Sequence, residues 1–316
     1  MRFRLNTSNH GSLVGVSDFL LLLRLLIESA GHGCVQDDTA GCHVFVECFK
    51  PSDAAAMAKL RKSGTAVVIV ATENITGSTF NDFSRAPGSG HYGGTSTWKN
   101  RFDNFLLCAS HATAIWCPFD APKQLDAYRA LVEVPVVSLP FAHFPKFPRV
   151  THAAKTTDVF FWGTRTKHRD EVMARLKGKY ATTFPGFMHD TRRDMLTGQS
   201  KICLNLKQYR AWPIPSKMRC WYHLSNASCL VGETCAVPCD LDQYARTVPE
   251  AELDDACGEL LKSGEWERLA AETYDRFAAE CPGKPAAERL LDCTFSRDCF
   301  SSPDQPPATP LEPTQA

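Results

Sequence analysis

The sequence carries no net charge: 35 Lys and Arg balance 35 Asp and Glu among 316 residues. That balance argues against a dedicated nucleic-acid or membrane-surface binder unless charge is segregated along the chain. No apolar run is long enough for a bilayer. Phe19 to Leu23 is broken by Arg24 before Leu25 to Ile27, about half of the ~20 residues a span needs. The start, Met1-Arg2-Phe3-Arg4-Leu5, reads as a short strand, not as the charged opening of a secretory signal. A cytoplasmic chain with reduced thiols is therefore expected.

Fourteen cysteines are present, but tightly paired spacings are scarce. The densest group is Cys220, His223, Cys229, Cys235 and Cys239. Only Cys220 and His223 are separated by two residues, whereas zinc sites repeat that spacing. No metal is expected. Asp240-Leu241-Asp242 forms a D-x-D, but it follows a turn through Pro238-Cys239 late in the chain and reads as surface acid.

What the chain does have is a repeated strand–helix rhythm. Strand patterns at Arg2 to Leu5, His43 to Phe49, Thr65 to Ala71, Thr113 to Cys117 and Val134 to Leu139 alternate with helical ones. Thr65 to Ala71 is continuously apolar and β-branched, as in a strand covered on both faces. The rhythm breaks over 141–156, with Pro145 and Pro148, and restarts at Asp158 to Trp162. Two parallel-sheet domains are expected, over residues 1–145 and 155–290, joined by a linker and followed by a disordered Pro-rich tail over 301–316. The expected fold class is α/β, with two Rossmann-like units.

Charge is segregated after all. Residues 155–219 hold fourteen Lys and Arg against five Asp and Glu, and residues 220–300 hold seven against sixteen. Solvated helix faces account for much of the acidic block. In the basic block, charges fall near predicted strand ends, where doubly wound sheets bind ligands. Gly163, Arg165 and Arg169 follow the strand at Asp158, Lys207 follows the strand at Lys201, and Lys217 and Arg219 open a helix. Helix N-termini suit phosphate. The plainer alternatives are a βα turn with surface arginines and, for Glu233, a carboxylate that merely ends a strand.

These pieces resemble the donor-binding domain of GT-B-fold glycosyltransferases, most closely the group-1-like, spore-maturation-type proteins. The resemblance rests on Val159-Phe-Phe-Trp-Gly163 with Arg169, Lys201-Ile-Cys-Leu-Asn-Leu206, Pro215-Ser-Lys-Met-Arg219, Cys229-Leu-Val-Gly-Glu233 and Val248-Pro-Glu-Ala-Glu-Leu253. It implies two Rossmann-like domains facing across a cleft, a nucleotide-sugar donor on the second, a carbohydrate or small-molecule acceptor on the first, and a role in carbohydrate biosynthesis without metal or cofactor. Gly163, Arg165, Arg169, Lys217, Arg219 and Glu233 would then serve the donor. Glu73, after the buried strand, is placed to take the acceptor hydroxyl proton, with His10 and His91 as rivals. A carboxylate capping the next turn is the plainer reading of Glu73. Many GT-B enzymes carry two glutamates seven residues apart, and that pair is missing. A non-catalytic nucleotide- or sugar-binding protein of the same fold is the alternative. A nucleotide-sugar epimerase is disfavoured, since neither a Gly-rich fingerprint nor a Tyr-x3-Lys pair is found.

Overall fold

The computed structural model describes residues 1–37, 39–81, 95–147 and 150–296; the Pro-rich tail and His91 lie outside them. The first sheet uses β1 (Arg2–Asn6), β2 (Gly33–Cys34), β3 (Cys42–Val46), β4 (Ala66–Val70), and, after the small antiparallel hairpin β5 (Ile75–Thr76) and β6 (Thr79–Phe80), β7 (Ala114–Cys117) and β8 (Val136–Ser138). Its order is β2-β1-β3-β4-β7-β8, every pair parallel. Helices α1 (Ser17–Ser29), α2 (Pro51–Lys62), α3 (Thr95–Ala109) and α4 (Pro122–Arg129) form the connections.

The continuous apolar strands are explained by two covered faces. On β4, Val68 and Val70 join the core that holds Leu22, Leu26 and Trp116, while Val67 and Ile69 join the core that holds Met57, Phe102 and Phe105. Alternate residues along a strand point to opposite faces, so both sets must be apolar.

The second sheet comprises β9 (Thr157–Phe160), β10 (Thr182–Thr183), β11 (Ser200–Asn205), β12 (Cys229–Glu233) and β13 (Arg246–Val248). It is again parallel, in the order β10-β9-β11-β12-β13. Helices α5 (Lys167–Lys177), α6 (Asp190–Gly198), α7 (Lys217–Ser225), α8 (Leu253–Ser263) and α9 (Trp266–Glu280) accompany it. Strand order reverses between β9 and β11, which opens a crevice beyond their carboxyl ends.

Three further features bear on how the two halves join. Ser17 opens α1, and its hydroxyl donates to Val14 and to Asp190 across the molecule. The stretch 141–147 is packed, not a free linker: Phe141, Phe144 and Phe147 are buried, and the Trp221 indole donates to the Ala142 carbonyl at 2.8 Å. Finally, α10 (Gly283–Phe295) returns to the first sheet, packing on α1 and β8. There Thr294 accepts from the buried Trp116 indole at 2.8 Å. Gly283 and Pro285 both sit in the first turn of α10, where amide protons have no helical partner anyway. Among the described residues no helix is long and apolar enough to cross a membrane.

One close approach tests how the second sheet is joined to the 150–156 segment. A Cβ on Gly198 would lie 2.2 Å from the Thr151 carbonyl oxygen and 3.1 Å from Val150. Gly198→Ala is expected to lower unfolding free energy by about 1–3 kcal/mol. Gly11→Ala, with nothing within 4 Å of its new methyl, should stay within about 0.5 kcal/mol of wild type. Urea titrations of both variants check this, and equal stability would show that the 150–156 segment yields freely.

Candidate functional site

A cavity of ≈ 330 Å³ lies between the two sheets, at the carboxyl ends of β9 and β11. One wall comes from the second sheet. β9 runs out through Phe161 and Trp162 into Gly163, whose φ of +139° is a conformation that only glycine takes without strain. A Cβ there would lie 2.9 Å from the Arg219 Nη2 atom, so the bare backbone is what lets this guanidinium reach the cavity. Arg219 sits in the first turn of α7, 6% exposed, with Nη1 donating to Asn205 Oδ1 at 2.8 Å. Its guanidinium lies 5.0 Å from the Phe161 ring and 5.3 Å from the Trp162 ring. Asn205 ends β11 and also donates to the Ser216 carbonyl, which fixes the start of α7 against the sheet.

Ser216 to Arg219 all line the cavity, and the Ser216 side chain makes no cap bond. The positive end of α7 therefore faces the space. Lys217 is 9% exposed; its Nζ lies 2.9 Å from Asp240 and 3.4 Å from Asp120, the latter carried by the first half of the chain. Burial raises the Asp240 carboxyl, although Lys217 pulls it down.

Arg169 also reaches this wall, but its donors are committed to backbone. They bond the carbonyls of Lys207, Thr164 and Leu206 at 3.0, 2.9 and 3.1 Å. This arginine clasps the loops after β9 and β11 together, a structural role beside whatever it offers a ligand.

Two expected donor residues are not brought to the cavity. Arg165 is exposed, pairs with Asp170 at 2.6 Å and stacks over Phe184 at 4.9 Å. It stands in the turn before Thr166, which caps α5, and the turn directs it outward. Glu233 is 3% exposed but buried behind the wall, 2.9 Å from His168 Nε2 and 3.1 Å from Lys207 Nζ. Burial pushes its carboxyl up, yet the His168 and Lys207 hydrogen bonds outweigh that and hold it below the ordinary range. β12 lies one strand beyond the β9/β11 reversal, so its end is screened by Lys207, which does line the cavity.

The opposite wall comes from the first sheet and carries Asp18, Thr72, Glu73 and Asp120. Glu73 follows β4 and is held in place from two sides. Arg101 pairs with it at 2.6 Å, and Asn81 Nδ2 donates to it at 2.6 Å. Asn81 has φ +51°, the left-handed region that asparagine tolerates better than most residues. His10 does not reach the cavity: its Nε2 is spent on the Val46 carbonyl at 3.2 Å, and burial lowers its pKa. His91 lies outside the described residues.

Residues that the sequence did not signal complete the picture. Glu47, 1% exposed after β3, shares Arg101 with Glu73 and accepts from Thr72 at 3.1 Å. One guanidinium cannot neutralise two carboxylates, and burial pushes the more enclosed Glu47 up to about 7. Across the cleft, Arg193 of α6 donates to Asp18 of α1 at 2.7 Å and lies 3.9 Å over the Tyr222 ring. Burial raises the Asp18 carboxyl despite this partner.

No family model and no curated protein matches this sequence. Solved structures do. A sucrose-phosphate synthase from Thermosynechococcus elongatus superposes with a TM-score of 0.59 at 8% identity, covering 92% of this chain and 98% of that one. TarM superposes with a TM-score of 0.53 at 11% identity over 90% of this chain, which spans 58% of TarM's length.

Glu47 yields a pH test. Its carboxyl rises from 4.5 when unfolded to about 7 when folded, so its contribution favours the fold below the lower value and is lost as pH climbs through the upper one. In Glu47→Gln that loss should vanish, so the variant gains stability relative to wild type as pH rises from about 4.5 to about 7. Denaturation across this range checks it; a flat difference would place the proton elsewhere. Taken with the sheet order and the cleft between the two halves, these superpositions establish that the chain has the GT-B fold.

Proposed function

We propose that this chain is a glycosyltransferase that moves a sugar from a nucleotide-activated donor to a hydroxyl of a carbohydrate or small-molecule acceptor. The observation that carries the reading is the pairing of walls. Gly163, Lys217, Arg219 and the positive end of α7 face one side of a single cavity, and Glu73 faces it from the other. The motif Pro215 to Arg219, with its likeness to spore-maturation-type transferases, falls on the cationic wall.

The chemistry follows from the charges. The donor diphosphate would lie at the head of α7, where Arg219 is anchored by Asn205 and needs no reorganisation. As the glycosidic bond to the phosphate breaks, negative charge grows on the leaving oxygen, and Lys217, Arg219 and the helix end stabilise it. These fixed cations supply the charge compensation without a metal at the donor. In an inverting transfer Glu73 accepts the proton of the acceptor hydroxyl as that oxygen attacks the anomeric carbon. Arg101 and Asn81 hold the carboxylate in position. Asp120 now sits on Lys217, and a bound diphosphate would take its place.

A thermal-shift panel of nucleoside diphosphates and their sugars, followed by donor-hydrolysis and transfer assays, tests this. Lys217→Ala and Arg219→Ala should each weaken donor binding roughly 10- to 100-fold, the worth of a hydrogen bond to a charged group. Arg165→Ala, outside the cavity, should bind as wild type does. Donor affinity unchanged in both Lys217→Ala and Arg219→Ala would remove the assignment. Glu73→Gln is expected to slow transfer by roughly 10²–10⁴ while leaving donor affinity within a few-fold; full activity would reduce Glu73 to a structural part.

A further inference from the structure

The cysteine group that the sequence spacing left without a role is resolved by the fold. Of the five residues, two converge, and they do so on an aspartate from the D-x-D. The sulfurs of Cys220 and Cys239 and a carboxylate oxygen of Asp242 lie within 4.8 Å of one another. We propose that Cys220, Cys239 and Asp242 form a metal site for zinc or a cation of similar softness, structural in role and at the edge of the donor cavity, which Cys239 also lines.

Three features favour a cation there. First, the ligand types fit. Thiolates select borderline and soft metals, and a carboxylate oxygen is also a zinc ligand, which leaves a fourth position for water. Around a tetrahedral zinc, ligand atoms stand roughly 3.5–3.8 Å apart, so the present spread needs only a small contraction. Second, the donors are oriented. Asp242 Oδ2 accepts the Cys239 amide at 2.8 Å, while Oδ1 accepts from the Cys239 thiol at 3.5 Å. That thiol proton stands where a cation would bridge the same two atoms. Third, a supporting shell exists. Asn205 Nδ2 donates to Cys220 Sγ at 3.0 Å, the kind of outer contact that steadies a metal-bound thiolate. Binding would release the two thiol protons to solvent, with no change of oxidation state.

The other carboxylate–histidine group, His168 with Glu233 and Glu250, is a different matter. Its carboxylates already pair with Lys207, Arg210 and Arg175, so its charge is met. Among the described residues, the hydrogen bonds of the Asp242 carboxylate run to Cys239. Cys235 stays outside the proposed set, its sulfur 3.5 Å from the Glu233 carbonyl oxygen.

The location gives the site a purpose. Cys220 follows Arg219 in the first turn of α7, and Cys239 precedes Asp240, a partner of Lys217. A cation would pin the loop after β12 to that helix turn and fix both cationic side chains.

The test is a cobalt(II) titration of the full chain, reduced and under anaerobic conditions, followed by zinc competition. One equivalent should bind and produce sulfur-to-cobalt charge-transfer absorption, which zinc abolishes. Cys220→Ser and Cys239→Ser should each bind about 100-fold more weakly or not at all, and Asp242→Asn about tenfold more weakly. Cys235→Ser should bind as wild type does. Absence of the band in wild type overturns the proposal without reference to any variant. So does a band that survives in both Cys220→Ser and Cys239→Ser, loss of it in Cys235→Ser, or a Cys220–Cys239 disulfide in the anaerobic protein. Metal binding is read independently of sugar transfer, so its failure leaves the function proposed above untouched.

Discussion

Arg169 is the constraint on which the cationic wall depends. In the second sheet the strand order reverses between β9 and β11, and the loops leaving these strands diverge. Their carbonyls would face each other across the gap without helix or sheet partners. Arg169 answers three of them from one guanidinium, stacked 5.1 Å from the Phe161 ring. Arg219 lies on the same aromatic ring from the helix side. Clasped loops, glycine at 163 and the seated head of α7 thus form one unit. The clasp adds to the Glu233 contacts of Lys207 and to the Gly163 amide's bond to the Gly186 carbonyl.

The fold was legible in the sequence because its main signals are local. Ala66 to Val70 could be read as a doubly covered strand, since every residue of it is apolar. Helix α5 likewise opens on a local signal, the Thr166 hydroxyl that caps it. Lys217 and Arg219 were also legible, because a helix start after Pro215-Ser216 carries its own electrostatic meaning. What local signals do not carry is direction and distance. Arg165 and Arg169 are four residues apart in one turn-and-helix segment, yet Thr166 caps the helix between them and sends them opposite ways. Glu233 ends a strand as expected, but only the strand order tells that its end is screened. Asp18, Glu47, Arg101 and Asp120 come from separate connections, and nothing in their neighbours announces that they meet. The last helix carries Gly283 and Pro285 in its first turn, residue types that mark a helix start as readily as a break.

The basic stretch of the second half becomes one wall of the cavity, and individual carboxylates of the first half, not the acidic 220–300 block, face it. The acidic residues of the first sheet, Asp18, Glu73 and Asp120, look towards Lys207, Lys217 and Arg219 of the second. Two ion pairs cross the gap, Asp18 with Arg193 and Asp120 with Lys217. In a cleft with little water such pairs are screened far less than on the surface. They contribute to holding the halves at one separation, at the cost of desolvating each charge, which is why burial raises the Asp18 carboxyl even beside an arginine.

The two crossing pairs differ in what a ligand could do to them. Arg193 is enclosed by Tyr222 and Trp162, at 3.9 and 4.9 Å, and bonds Asp190 and Asp194 as well as Asp18. Displacing it would strand several charges at once, so this pair acts as a fixed hinge pin. Lys217 is different. It lines the cavity, and its partners stand on opposite sides of the cleft: Asp120 on the first half, Asp240 on the second. A diphosphate carries more negative charge than Asp120 and would compete for the same ammonium. On the function proposed here, donor binding therefore weakens one bridge across the cleft while leaving the other intact. The donor adds its own contacts where the bridge was lost, so closure on a bound donor is sustained by the substrate instead of by Asp120. On that reading, the charge which holds the cleft together without a donor is the charge a donor would need.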